Sequence, residues 1–142
     1  MMRRIDIRSI LIASLFAASL TVFIFPLIKT LLYFFLDEEL ELPQNIYLLR
    51  CYLPLLLAGI YAGFSIKKSV FINGVFIGIA YSILVDLISI IYLKGMIKFG
   101  WMSMIWGPIE DGILCGLISW LTYKTIQIIK KKDNEMFNQR LE

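Results

Sequence analysis

The stretch VFINGVFIGIAYSILVDLISIIY, residues 70–92, decides the fold class of this chain. It contains no proline and a single charged side chain, Asp86. A helix needs roughly 20 mainly apolar residues to cross about 30 Å of hydrocarbon. The length and composition of the stretch therefore predict a transmembrane helix.

The rest of the chain has the same character. Of its 142 residues, 59% are hydrophobic and 18% are charged, with a mean hydropathy of +0.78, which is more apolar than a soluble domain of this size. Further spans are predicted near residues 9–30, 46–65 and 108–129, and their continuous apolar runs do not alternate as barrel strands do. We predict an all-α integral membrane protein with a four-helix transmembrane bundle, consisting of one domain over 1–129 and a short basic and polar tail over 130–142.

The N-terminal segment resembles a cleaved signal peptide, because basic residues precede an apolar run that contains small residues. Cleavage would fall after Ala17 or Ala18, but the apolar run continues to Phe25. That length favours an uncleaved first span.

The distribution of lysine and arginine predicts the orientation, because these residues are retained on the cytoplasmic side. If the N-terminus is cytoplasmic, only Lys29, Arg50, Lys94 and Lys98 lie on the other side. We therefore expect a multi-pass protein of the cytoplasmic membrane, the inner membrane of a bacterial-type cell, with both termini in the cytoplasm. The basic residues then on the inside are Arg3, Arg4, Arg8, Lys67, Lys68, Lys124, Lys130, Lys131, Lys132 and Arg140.

The start of the fourth span has two interpretations. Pro108 followed within one turn by Glu110 and Asp111 is a typical helix start, which favours a span beginning at Pro108 with both acids shallow. On that interpretation residues 94–106 form an interfacial connector. A helix beginning at Trp101 would instead carry the acids roughly 15 Å deep, where an ionised carboxylate is costly and indicates function.

Five ionisable side chains from all four spans converge on a similar depth, and we treat them as the candidate polar cluster. One hypothesis is a structural pair between Asp86 and Arg50, with Lys29 reaching the interface. The other is a cavity that binds an ion, a proton or a small charged solute, as acids within a membrane do in transporters. The cluster comprises Lys29, Arg50, Asp86, Glu110 and Asp111.

Glycines four residues apart occur in three of the four predicted spans. Such pairs allow close approach of helix backbones, which favours packing in lipid. Two of the pairs lie in similar segments, NGVFIGIAY and DGILCGLIS, a likeness that we attribute to composition. The pairs are Gly59 and Gly63, Gly74 and Gly78, and Gly112 and Gly116.

The sequence contains no catalytic, cofactor-binding or metal-binding motif. Histidine is absent, and Cys51 and Cys115 lie in different spans without a C-x-x-C motif, so both are predicted to be small apolar fillers. The basic residues follow span ends, which gives no support to nucleic-acid binding. An intramembrane aspartyl hydrolase using Asp86 and Asp111 is a remote alternative.

The expected function is that of an assembling or accessory subunit, which contacts copies of itself or another membrane protein through its glycine faces. The alternative is a small oligomeric transporter or channel that uses the polar cluster. Beyond the lipid bilayer, no specific partner can be predicted from these patterns.

Overall fold

A computed structural model describes residues 5–36, 44–93 and 101–139. Every statement on the structure below refers to these ranges. Within them the backbone is described throughout, whereas the side chains of some residues lie outside the description. Those are residues 25, 28, 29, 32, 33, 35, 36, 44–51, 92, 93, 101–104 and 136–139.

The first helix, α1, spans Ile7–Leu36 and contains Pro26. Asp6 caps its N-terminus, because its carboxylate accepts hydrogen bonds from the Ser9 N–H at 3.2 Å and the Ser9 hydroxyl at 2.9 Å. A proline inside an apolar helix is tolerated where neighbouring groups satisfy the released backbone.

The second helix, α2, spans Gln44–Ser65 and contains the buried Pro54. A short turn then leads to the third helix, α3, which spans Val70–Leu93. Ser69 has a φ of 52° in this turn, a left-handed conformation that non-glycine residues adopt infrequently. The bounds of α3 match the predicted span at residues 70–92 to within a residue.

The fourth helix, α4, spans Trp101–Gln139 and is continuous through Pro108. The prediction that Pro108 starts this helix is wrong, and residues 101–106 belong to the helix rather than to a connector. A proline inside a helix lacks the N–H that would bond to the preceding turn, and a membrane helix tolerates this loss. Pro108 and the acids after it therefore did not determine where α4 begins. At 39 residues, α4 is about 58 Å long, well beyond the thickness of a bilayer core.

Contacts between helices define an alternating topology. Near the start of α1, the Asp6 N–H donates to Asn73, and farther along α1 the hydroxyls of Thr21 and Tyr81 are hydrogen-bonded at 2.9 Å. From the first of these contacts to the second, the residue number increases in both helices, so α1 and α3 are parallel.

The other two helices run in the opposite direction. Gly74 of α3 lies against Gly116 of α4, and Gly78 lies against Gly112, so α3 and α4 are antiparallel. In α2, Gly59 contacts Ile118 and Gly63 contacts Thr122, which makes α2 parallel to α4. The described chain is thus an up-down-up-down arrangement of four helices.

The core of this arrangement is built from small and aliphatic side chains, while many large apolar side chains are exposed. Three helices contain stretches long and apolar enough to cross a membrane: Ile7–Ile24, Val70–Ile91 and Ile105–Glu135. The described apolar part of α2, Tyr52–Ser65, is shorter. The three long apolar stretches suggest a membrane protein. The fully buried core residues include Ala17, Leu55, Ala58, Ala62, Ile77 and Cys115.

Candidate functional site: the acidic cluster

The depth of Asp111 follows from its contact with α3. The backbone carbonyl of Asp111 lies directly against Gly78, eight residues after the start of α3 at Val70. Eight residues correspond to about 12 Å of helix, which brings Asp111 near the middle of the candidate span Val70–Ile91. Asp111 does not lie in the first turn of its helix, as a start at Pro108 would require, but ten residues after the start of α4 at Trp101. The depth of both acids in a membrane stays a prediction.

The side chain of Asp111 points along α3 towards Ser82 and Asp86. The Ser82 side chain is hydrogen-bonded to the Asp111 carboxylate, and Asp86 is close enough to interact with it electrostatically. Ser82 and Asp86 are four residues apart, so they share one face of α3. Ser82 is buried, whereas Asp86 and Asp111 are half-buried. The two aspartates therefore lie along the same α3–α4 seam.

Glu110 faces a different neighbour. Its Oε1 atom accepts a hydrogen bond from the Tyr52 hydroxyl of α2 at 3.4 Å, which is longer than the roughly 2.5–3.0 Å typical of an O–H···O bond and therefore weak. The Glu110 side chain is exposed, and it also interacts electrostatically with Asp111. We refer to Asp86, Glu110 and Asp111, with Ser82 and Tyr52, as the acidic cluster.

Two members of the predicted polar cluster are basic. Lys29 lies in α1, seven residues before its end at Leu36. Arg50 lies in α2, six residues after its start at Gln44. Both positions are at the same end of the bundle as Asp86. Their side chains lie outside the described residues. The structure thus places Asp86 and Glu110 each within electrostatic range of Asp111, and pairing of Asp86 with Arg50 stays a prediction.

The glycine pairs are buried inside the chain and surround the inner side of the acidic cluster. A Cβ atom added at Gly78 would lie 2.7 Å from the Gly112 Cα, and one at Gly74 would lie 2.9 Å from the Gly116 Cα. These four glycines let α3 and α4 approach backbone to backbone. Gly59 and Gly63 of α2 face α4 in the same way.

Two buried polar contacts did not emerge from the sequence as sites. The Asn73 side chain accepts from the Asp6 N–H at 3.0 Å and donates to the carbonyls of Lys68 and Ser69. It thereby connects the start of α1 to the turn before α3. The signal was present, because Asn73 is a fully buried amide in an apolar stretch, and such a group needs partners.

The second of these contacts lies between α1 and α3. The hydroxyl of Thr21 meets that of Tyr81, and Thr21 also donates to the Ala17 carbonyl at 3.1 Å. Neither side chain belongs to the acidic cluster. Threonine in a membrane helix commonly bonds its own backbone, so no local pattern in the sequence predicts this pairing.

The donor set of the acidic cluster does not form a metal centre. Within the described ranges, no three Asp, Glu, Cys or His side chains are grouped closely enough to hold a metal ion. Cys115 is a free thiol, fully buried, with its carbonyl accepting from the Ser119 hydroxyl at 2.7 Å. Its prediction as a small apolar filler is confirmed.

Fold and site together describe four helices, three of them with candidate membrane spans, and two half-buried aspartates between α3 and α4. Comparison with known proteins gives no family assignment: no family model, curated protein or solved structure matches the chain. Its chemistry must therefore be inferred from its own residues.

Proposed function

We propose that the chain is a four-span protein of the cytoplasmic membrane with both termini in the cytoplasm. Support comes from the alternating topology, which brings the start of α1, the α2–α3 turn and the later part of α4 to one end of the bundle. That end carries most of the lysines and arginines, as retention on the cytoplasmic side requires. A reporter fused after Lys68 and found outside the cell would overturn this orientation.

Within that membrane, the proposed function is that of a subunit in an assembly, with a second membrane chain covering the acidic cluster. The observation that carries the proposal is the exposed Glu110 carboxylate, one residue from Asp111 near the middle of a candidate span. An ionised carboxylate facing lipid is costly, and such groups normally face protein or a water-filled cavity. Contact with another subunit would supply that environment.

The surface proposed for the partner differs from the one expected from the sequence. The three glycine pairs are buried against helices of the same chain, so they offer no exposed face. The remaining candidate is the surface around Glu110 and Tyr52, where α2 and α4 meet. Both side chains are exposed there.

Native mass spectrometry after mild-detergent extraction tests this proposal. We expect the mass spectrum to show the wild-type chain in a complex of fixed stoichiometry, either with copies of itself or with a second polypeptide. Glu110→Gln should weaken the assembly, while Glu135→Gln, an exposed glutamate paired with Lys131 near the end of α4, should leave it intact. A monomer in the wild type, or equal assembly by Glu110→Gln, would contradict the proposal.

A second candidate function is transport of a proton, an ion or a small charged solute by such an oligomer. It is favoured by the electrostatic interaction of Asp111 on α4 with Asp86 on α3. Acids at this depth commonly form relays and solute sites. An intramembrane hydrolase that uses Asp86 and Asp111 stays a remote alternative, because no catalytic motif flanks either residue.

Flux into proteoliposomes separates transport from structural pairing. Transport predicts that Asp86→Asn folds normally and loses flux, so a fully active variant would exclude it. Pairing with Arg50 predicts instead a lower yield of folded Asp86→Asn and recovery when the charges of residues 50 and 86 are exchanged.

A further inference from the structure

A groove at the opposite end of the bundle from the acidic cluster has the chemistry of a lipid headgroup site. It encloses about 400 Å³ between the α2–α3 turn and α4. This volume lies within the usual range for small-molecule sites. The groove belongs neither to the acidic cluster nor to the glycine contacts, so its role is independent of the proposed function.

Two lysines and several aromatic side chains line this groove. Lys67 stands on the turn and Lys124 on α4, and both are exposed. The Lys124 ammonium lies 5.2 Å from the centre of the Trp120 ring, in cation–π geometry. Phe71 and Tyr123 complete an aromatic wall. No carboxylate is among the described residues that line it.

The position of the groove suits an interface between lipid and water. It lies at the first turn of α3, where a candidate span begins at Val70, and Trp and Tyr are enriched at that depth. A negatively charged headgroup there would meet Lys67 and Lys124, and its acyl chain would follow the aromatic wall. Basic pockets between membrane helices bind anionic headgroups by this combination.

We propose that this groove binds the phosphate headgroup of an anionic phospholipid between Lys67 and Lys124, with the upper part of an acyl chain against Trp120 and Phe71. The two ammonium groups select negative charge. The aromatic wall distinguishes a lipid from a free phosphate, which has no apolar part to bury. A zwitterionic lipid offers no net charge to the two lysines.

The test uses the full chain in detergent, titrated with phosphatidylglycerol or phosphatidylcholine and followed by native mass spectrometry. We expect one phosphatidylglycerol per chain to be retained and phosphatidylcholine to be lost. Lys67→Gln with Lys124→Gln should weaken retention by about thirtyfold, since a basic residue at a lipid surface contributes about fivefold. The control variant Lys131→Gln with Lys132→Gln, two exposed lysines beyond the groove, should bind as the wild type does.

Three further outcomes would overturn the proposal. Equal weakening of lipid retention in both double variants would mean that the lipid is attracted to basic residues in general. Unchanged lipid retention in the groove variant would mean that the lipid binds elsewhere. Inorganic phosphate at millimolar concentration should not displace the lipid. If it does, the groove binds free phosphate instead. All four lysines are exposed, and circular dichroism of each variant checks that it is folded.

Discussion

The seam between α3 and α4 has two halves with opposite properties. In the glycine half, defined by Gly74, Gly78, Gly112 and Gly116, the two backbones touch and the residues are buried. In the acidic half, which contains Ser82, Asp86 and Asp111, both carboxylates are half-buried. Asp111 belongs to both, because its carbonyl touches Gly78 while its side chain reaches Ser82.

This difference separates a part of the molecule selected for packing from a part that packing does not explain. Close glycine contacts stabilise a helix pair in lipid, where apolar side chains gain little by leaving the hydrocarbon. Charged groups at the same depth lower the stability of an isolated chain. Close packing of the backbones therefore does not explain why the acidic half carries carboxylates.

The largest predicted effect is on the glycine half. A methyl group at Gly78 would lie 2.6 Å from the Asp111 carbonyl carbon and 2.7 Å from the Gly112 Cα, and backbone atoms cannot move aside as a side chain can. Gly78→Ala should therefore lower the free energy of unfolding by about 2–3 kcal/mol. Thermal unfolding in detergent, followed by circular dichroism, measures this change.

Gly107→Ala is the matched control on the same seam. There the nearest atom to an added Cβ is the Ser82 Oγ at 3.7 Å, an ordinary contact. Because alanine favours a helix interior by up to about 1 kcal/mol over glycine, this variant should be as stable as the wild type or more stable. Equal destabilisation of both variants would contradict the division of the seam into two halves.

The next effect concerns the buried amide at the start of the glycine half. Asn73→Ala removes one hydrogen bond from the Asp6 N–H and two to turn carbonyls. The expected loss is about 2 kcal/mol, since buried groups are left without partners. The control, Asn134→Ala, alters an exposed amide on α4 and should change stability by less than about 0.5 kcal/mol. Chemical unfolding in mixed micelles compares them.

In the acidic half, the substitution is predicted to leave the stability unchanged or to raise it. Asp111→Asn keeps a hydrogen-bonding side chain opposite Ser82 and removes a negative charge near Glu110 and Asp86. We expect the isolated chain to be unchanged or more stable by about 1 kcal/mol, because a charge within the membrane is costly. The same unfolding assay applies.

The comparison for this variant is Asp133→Asn, an exposed residue of the long α4 helix, with an expected change below about 0.5 kcal/mol. A loss of more than about 2 kcal/mol in Asp111→Asn would have a different meaning. It would show that a cation is paired with the carboxylate inside the bundle. The acidic half would then be a structural element like the glycine half.

The sequence predicted the helical class and the α3 span because apolar length alone determines them. It did not predict the start of α4, since Pro108 and the following acids match a helix start but are also tolerated within a membrane helix. Asp111 was consequently expected in the first turn of its helix, whereas it lies ten residues after the start of α4. Its depth depends on the register of α4 against Gly78, a long-range contact that no local pattern contains.

The hydrogen-bond partners of the buried polar residues could not be predicted from the sequence either. Asn73 was visible as a polar residue before a glycine pair, but its role required the start of α1 to lie beside the α2–α3 turn. For the glycines the pattern identified residues able to approach another helix. Whether that helix belongs to the same chain is decided by topology, and here it does.

The smallest predicted effect lies outside the seam, at the cap of α1. Hydrogen bonds from the Ser9 backbone N–H and the Ser9 hydroxyl hold the pKa of Asp6 below its usual value of 3.8. The cap therefore contributes fully above pH 3.8, and its contribution is lost as the pH falls through the lowered pKa of the folded state. Asp6→Asn should be slightly less stable than the wild type at pH 7, where the ionised carboxylate also favours the helix N-terminus.

The difference between Asp6→Asn and the wild type should disappear when the pH is low enough to protonate Asp6, because the titrating group is the only change. Unfolding midpoints measured from pH 7 to pH 2 provide the comparison. Ser9→Ala should shrink the pH-dependent part without abolishing it, since the larger contribution comes from the backbone N–H. A difference that stays constant with pH would instead assign the effect to side-chain packing. The charge of Asp6 would then contribute nothing to the stability of the cap.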